Sequence, residues 1–123
     1  MARILVADDT PEMRGLIAEI LADHYHITAV ADGGEAWESI RRDPPDLIIS
    51  DVHMPGESGF DFLALAKADA TLRPVPFLLV SATSWDDGAG REAAEKGADL
   101  FLMRPIDPQR LLEHIRKLLG KRR

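Results

Sequence analysis

Three aspartates, a serine and an arginine in this 123-residue chain could act on one another if the fold gathers them. Asp8 and Asp9 are adjacent behind the apolar run RILVA, Asp51 closes LIISD, Ser81 follows FLLV and Arg104 follows LFLM. Crowded carboxylates repel: two unit charges about 4 Å apart do so by about 4 kcal/mol at an effective dielectric of about 20. A fold keeps such a group when a cation relieves it or when one acid stays protonated. Oxygen donors with no histidine or cysteine among them favour a hard ion, magnesium more than zinc. Magnesium keeps several waters and takes one or two carboxylates, which leaves room in its shell for a phosphoryl oxygen. A hydroxyl and a cation opposite it would hold the remaining phosphoryl oxygens.

These residues share a pocket only if the elements before them end at one edge. Arg3 to Ala7 reads as a buried strand. Thr10 then stands at an N-cap position with Pro11 at the first helical one. Met13, Leu16, Ile17, Ile20 and Leu21 follow the spacing of one apolar helix face. His26 to Val30 is the second strand, followed by a helix from about Gly34 to Arg41 with Ala36, Trp37 and Ile40 inward, ended by Pro44 and Pro45. Leu47 to Ser50 is the third strand, and a helix runs from about Gly59 to Ala68. Phe77 to Val80 and Leu100 to Met103 are the fourth and fifth strands. The helix between them, about Asp87 to Lys96, is weakened by Gly88 and Gly90, each costing about 1 kcal/mol relative to alanine. The last helix has Asp107 as cap and Pro108 at its first position, with Leu111, Leu112, Ile115, Leu118 and Leu119 on one face, and stops at Gly120.

Strands alternating with helices imply an α/β fold with a five-stranded, doubly wound parallel sheet, because crossover helices join parallel neighbours. In such sheets ligands bind beyond the carboxyl ends of the strands. Asp8, Asp9, Asp51, Ser81 and Arg104 all fall there, provided the first and third strands are neighbours.

Composition bounds the rest. Apolar residues at 46% and charged residues at 29% are ordinary for one globular domain. Having no cysteine excludes disulfides, thiolate catalysis and cysteine-based metal sites. A formal net charge of −6 is a poor match to nucleic acid or anionic lipid. The opening MARILVAD is too short for a signal peptide and no apolar run approaches membrane-spanning length, so a cytoplasmic protein is expected.

The order of these pieces resembles the receiver domain of two-component response regulators, over essentially the whole chain. The resemblance rests on Asp8–Asp9, LIISD ending at Asp51, Met54–Pro55 with Gly59 beyond, Ser81–Ala82, Gly97–Ala98–Asp99 leading to Phe101, and Arg104–Pro105. It implies a flavodoxin-like strand order 2-1-3-4-5, a receiver domain over 1–120 and a short basic tail over 121–123. It implies Asp51 as phosphoacceptor from a histidine kinase or phosphotransfer protein. Magnesium would be held by Asp9, Asp51 and the backbone carbonyl of His53, with Asp8 acting mainly through a bound water. Ser81 would bond a phosphoryl oxygen and draw its loop inward, and Phe101 would change rotamer with that movement. The readout, on the fourth helix, fifth strand and fifth helix, would be binding of a downstream effector or output domain, or homodimerisation. No enzymatic turnover is implied. His53 and Thr83 match positions that tune the lifetime of the phosphoryl group. The pattern departs at Arg104, where the family carries lysine; arginine keeps the charge but is bulkier and planar, so the exchange is not conservative.

Other readings compete. A degenerate receiver that binds partners without phosphorylation is the main alternative, and Arg104 is its support. A magnesium-dependent phosphatase ranks last, because Asp51-Val52 is followed by His53 where such enzymes carry a second aspartate. His24, His26 and His114 read as surface residues, Trp37 as core, and Trp85 as packing over the fourth helix or as a partner anchor. Gly33–Gly34 and Gly88-Ala-Gly90 lack the spacing and lysine of a phosphate-cradling loop.

Overall fold

The computed structural model describes residues 1–54, 56–81 and 87–120, with only the backbone of 87–90. Pro55, Ala82, Thr83, Trp85 and the tail 121–123 lie outside the described residues. Five strands alternate with five helices: β1 (Arg3–Ala7), α1 (Pro11–Leu21), β2 (His26–Val30), α2 (Gly33–Arg42), β3 (Leu47–Asp51), α3 (Gly59–Ala68), β4 (Phe77–Ser81), α4 (Asp87–Glu95), β5 (Leu100–Met103) and α5 (Pro108–Gly120). All strands pair in parallel, in the order β2-β1-β3-β4-β5.

The side-chain alternation of the central strands divides the interior in two. Leu5, Ile48, Phe77 and Leu79 face α2 and α3, where Ala36, Ile40, Phe62 and Leu63 cover them. Ile4, Val6, Leu47, Ile49, Leu78 and Val80 face α1 and α5, where Ile17, Leu21, Leu111 and Ile115 cover them. A sheet buried on both faces explains why β3 and β4 read as unbroken apolar runs.

The helix starts are set by local chemistry. Asp32 accepts from the Glu35 amide at 2.8 Å to open α2, and Ser58 with Asp61 forms a reciprocal capping box on α3. The Asp107 carboxylate accepts from the Gln109 amide at 3.0 Å to open α5. Thr10 holds the N-cap position of α1 but makes no side-chain cap; its amide instead donates to Asp8 Oδ1 at 2.9 Å.

Several boundaries and faces differ from the sequence reading. Asp51 and Ser81 are the last residues of β3 and β4, not the first beyond them, because the ladder still pairs Asp51 with Val80 and Ser81 with Met103. Helix α2 is one residue longer at each end, and α4 ends at Glu95. Leu16 is 44% exposed although it shares the apolar spacing of α1. The buried residues of that helix are Ile17 and Leu21. Trp37 is partly buried, its ring 5.5 Å from that of Phe62 in an edge-on contact. His24 and His26 are exposed, whereas His114 is half-buried. Among the described residues no helix is long and apolar enough to cross a membrane.

Candidate functional site

Parallel register brings the ends of β1, β3 and β4 level, since Ala7 pairs with Ser50 and Asp51 pairs with Val80. Backbone bonds extend the ladder beyond its ends: the Asp8 amide donates to Val30 O at 3.0 Å, Val52 to Val80 O at 2.9 Å, and Arg104 to Ser81 O at 3.1 Å. Asp8 therefore lies beside Asp51. Carboxylate oxygens of Asp8, Asp9 and Asp51 lie within 4.8 Å of one another, with Asp8 and Asp51 buried and Asp9 exposed.

Arg104 supplies the opposing charge. Its Nη2 lies 3.5 Å from Asp8 Oδ2 and 3.9 Å from Asp51 Oδ2. Its Nε is buried and has no hydrogen-bond partner among the described residues. The two buried acids respond to their surroundings in the same sense. Burial pushes the Asp51 carboxyl up to about 6, reinforced by the neighbouring Asp8 charge and opposed by the His53 amide and Arg104. Burial also raises Asp8, against the Thr10 amide and the Arg104 charge. The His53 amide donates to Asp51 Oδ1 at 3.3 Å while its side chain is exposed.

Ser81 is buried at the end of β4, one register step beyond the partner of Asp51. Phe101 is partly buried, pairs with Leu79 and packs against the core on the α2–α3 face. The sequence reading missed Arg14, whose Nη1 donates to the Asp8 backbone carbonyl at 2.8 Å. A cation six residues after an acid carries no helical-face signal, since the chain turns between them. It also missed Glu57, whose side chain packs on Gly33 with Oε1 buried and without a hydrogen-bond partner among the described residues. Only the contact of its loop with the start of α2 reveals it.

Three carboxylates with oxygen-only donors, two of them buried, fit a hard divalent cation. An open parallel sheet with such a pocket at its carboxyl edge is a flavodoxin-like α/β domain with its ligand crevice at the usual place for that architecture. The chain belongs to the response regulator receiver domain family, whose model matches residues 4–116. It is a module of two-component signalling, in a family where aspartyl phosphorylation and magnesium binding are typical and where members interact with histidine kinases and effector domains. Receiver domains are generally signalling modules without turnover of their own. The response regulator PleD of Caulobacter vibrioides is 40% identical over 120 residues, covering 95% of this chain and 26% of PleD. This chain thus spans about a quarter of that relative. The chemotaxis response regulator CheY4 of Vibrio cholerae superposes with a TM-score of 0.87 at 30% identity, covering 96% of this chain and 98% of that one. The signal receiver domain of a histidine kinase from Syntrophus aciditrophicus gives 0.90 at 32% identity, covering 98% and 92%.

Proposed function

We propose that the chain accepts a phosphoryl group on Asp51 from a phosphohistidine of a histidine kinase or phosphotransfer protein. The observation that carries this reading is the clustering of buried Asp51 with two further carboxylates and the Arg104 cation at the carboxyl edge of the sheet. An Asp51 carboxylate oxygen attacks phosphorus; the O–P bond of an acyl phosphate forms as the N–P bond of the donor breaks, and the imidazole leaves with the bonding pair. An acid whose carboxyl is raised to about 6 is still mostly ionised near neutrality and can act as the nucleophile. A bound magnesium ion supplies charge neutralisation for the transferring phosphoryl group. Asp9, Asp51 and the His53 backbone carbonyl would hold it, with Asp8 acting through water. Arg104 and the Ser81 hydroxyl are suited to hold the remaining phosphoryl oxygens, and the Ser81 movement would be relayed through Phe101. The readout is a shifted equilibrium on the face of α4, β5 and α5, used by an effector, an output domain or a second copy of the chain. The net charge of −6 fits protein partners in the cytoplasm, with neither nucleic acid nor membrane engaged by this chain.

The test is intact-mass spectrometry after incubation with magnesium and a small acyl-phosphate donor, beside an Asp51→Asn control. One added phosphoryl mass in the parent, absent from the control, is expected. No addition would favour a receiver that binds partners without phosphorylation, a reading to which the Arg104 ion pairs with Asp8 and Asp51 lend support.

A further inference from the structure

Every polar group of Asp8 has a partner. Its amide donates to Val30 O at 3.0 Å, its Oδ1 accepts from the Thr10 amide at 2.9 Å, its Oδ2 faces Arg104, and its carbonyl accepts from Arg14 Nη1 at 2.8 Å. Asp9, the exposed acid of the trio, is the opposite case: among the described residues no hydrogen bond or ion pair holds its carboxylate. What is left to place it is the backbone. A peptide unit is planar, so holding the Asp8 carbonyl also fixes the Asp9 amide and Cα. Arg14 closes the first turn of α1, and helical side chains lean toward the amino end of their helix, which carries its guanidinium back past the helix start to that carbonyl. The placement runs against charge. A cation in the first turn opposes the helix dipole, and near a divalent ion it is repulsive. The short, charge-assisted bond to the Asp8 carbonyl is what the position gains.

We propose that Arg14 is a positioning residue of the magnesium site: by holding the Asp8–Asp9 peptide plane it aims the Asp9 carboxylate at the cation. The Thr10 amide, held by Asp8 Oδ1, pins the peptide that follows, so Asp9 keeps little freedom beyond its side-chain torsions. The inference rests on the magnesium-dependent reading above and assigns a part in it to a residue that touches neither the ion nor the phosphoryl group. Because Arg14 is itself a cation, geometry and charge call for opposite signs on its removal. Lost positioning weakens magnesium binding, whereas lost repulsion tightens it.

Magnesium affinity is measured by calorimetry on the folded parent, Arg14→Met, Arg14→Lys and Asp9→Asn proteins, with urea unfolding alongside. Arg14→Met keeps an apolar stem and loses the donor. It is expected to bind magnesium about ten-fold more weakly than the parent, the usual cost of losing a group that orients a ligand. Arg14→Lys keeps a donor and the charge, and is expected to recover part of that loss. Without magnesium, the Asp9 backbone amide nitrogen resonance should already move in Arg14→Met, since it senses the hydrogen bond on the preceding carbonyl. Equal or tighter binding by Arg14→Met overturns the proposal, because a purely structural contact would lower the unfolding midpoint and leave the affinity of the folded protein alone. An Asp9 amide that does not move overturns it as well. If Arg14→Met does not fold, Arg14→Gln, whose shorter side chain stays polar, is held to the same two criteria. Retained magnesium binding in Asp9→Asn would count instead against the acid pocket as the metal site, and so against the function proposed above, while the metal-free Asp9 resonance still tests Arg14.

Discussion

A Cβ on Gly59 would overlap the backbone carbonyl oxygen of Asp51. The first turn of α3 is thus pressed onto the acid at the end of β3, and the Gly59 amide closes the contact by donating to Val52 O at 2.7 Å. The atom in the way is backbone, so no rotamer change relieves the clash. The glycine sets how close α3 comes to the pocket, and so where Asp51 sits.

Gly59→Ala should therefore cost about 3 kcal/mol of stability, the upper range for overpacking a tight site. It should also reduce phosphorylation of Asp51 more than its effect on folding accounts for. Urea unfolding and the rate of phosphoryl incorporation, measured on the same protein, separate the two. A substitution that leaves both unchanged would show that α3 can retreat freely.

Asp51 should weaken the fold it serves. Its carboxyl is raised from an ordinary value of 3.8 to about 6, so the folded state binds a proton more tightly than the unfolded chain. Stability from this group is fully present below about pH 4 and is lost as pH rises through about 6, a difference of about 3 kcal/mol. In the presence of a chelator Asp51→Asn should accordingly unfold at higher urea than the parent at neutral pH, with the gap closing as pH falls toward 4. A variant less stable than the parent at neutral pH would contradict the burial argument.

Asp99 clasps the starts of β4 and β5. Its Oδ2 accepts from the Phe77 amide at 2.8 Å while its own amide donates to Phe77 O at 2.9 Å, and Lys67 Nζ approaches the same oxygen at 3.5 Å. Lys67 also donates to the Arg73 and Val75 carbonyls, each at 3.2 Å. Asp99→Ala leaves the Phe77 amide without its acceptor and should cost about 2 kcal/mol. This site lies at the opposite end of the strands from the acid pocket, so phosphorylation of the folded fraction should keep its parental rate.

Glu57 points the other way. Its Oε1 is buried against Gly33 without a hydrogen-bond partner among the described residues, an arrangement that costs folding free energy. Glu57→Met keeps the length of the side chain and removes the stranded oxygen, so a gain of about 1 kcal/mol in thermal or urea unfolding is expected. A loss would mean that the carboxylate is satisfied in solution by the amino-terminal end of α2, where an anion is favoured.

Much of this protein is legible in its sequence. The short apolar runs, the Pro11 and Pro108 helix starts and the Asp107 cap dictate an alternating α/β chain, because strand and helix periods and first-turn chemistry are local properties. Asp8, Asp9, Asp51, Ser81 and Arg104 were findable because each stands at or just beyond the end of a short apolar run, and parallel strands deliver their ends to one edge. What the chain could not reveal along its length depends on distances between segments far apart in it. That Asp51 and Ser81 still belong to the ladder is decided by the register with β4 and β5. That Leu16 faces solvent is decided by how α1 leans on the sheet and α5. The reach of Arg104 to Asp8, the Arg14 bond to the Asp8 carbonyl and the packing of Glu57 on Gly33 exist only once the chain has folded and these segments meet. Local sequence determines which elements form and which residues end them. Packing alone settles which charges face one another, because electrostatic and hydrogen-bond energies depend on separations of a few ångströms that no spacing along the chain encodes.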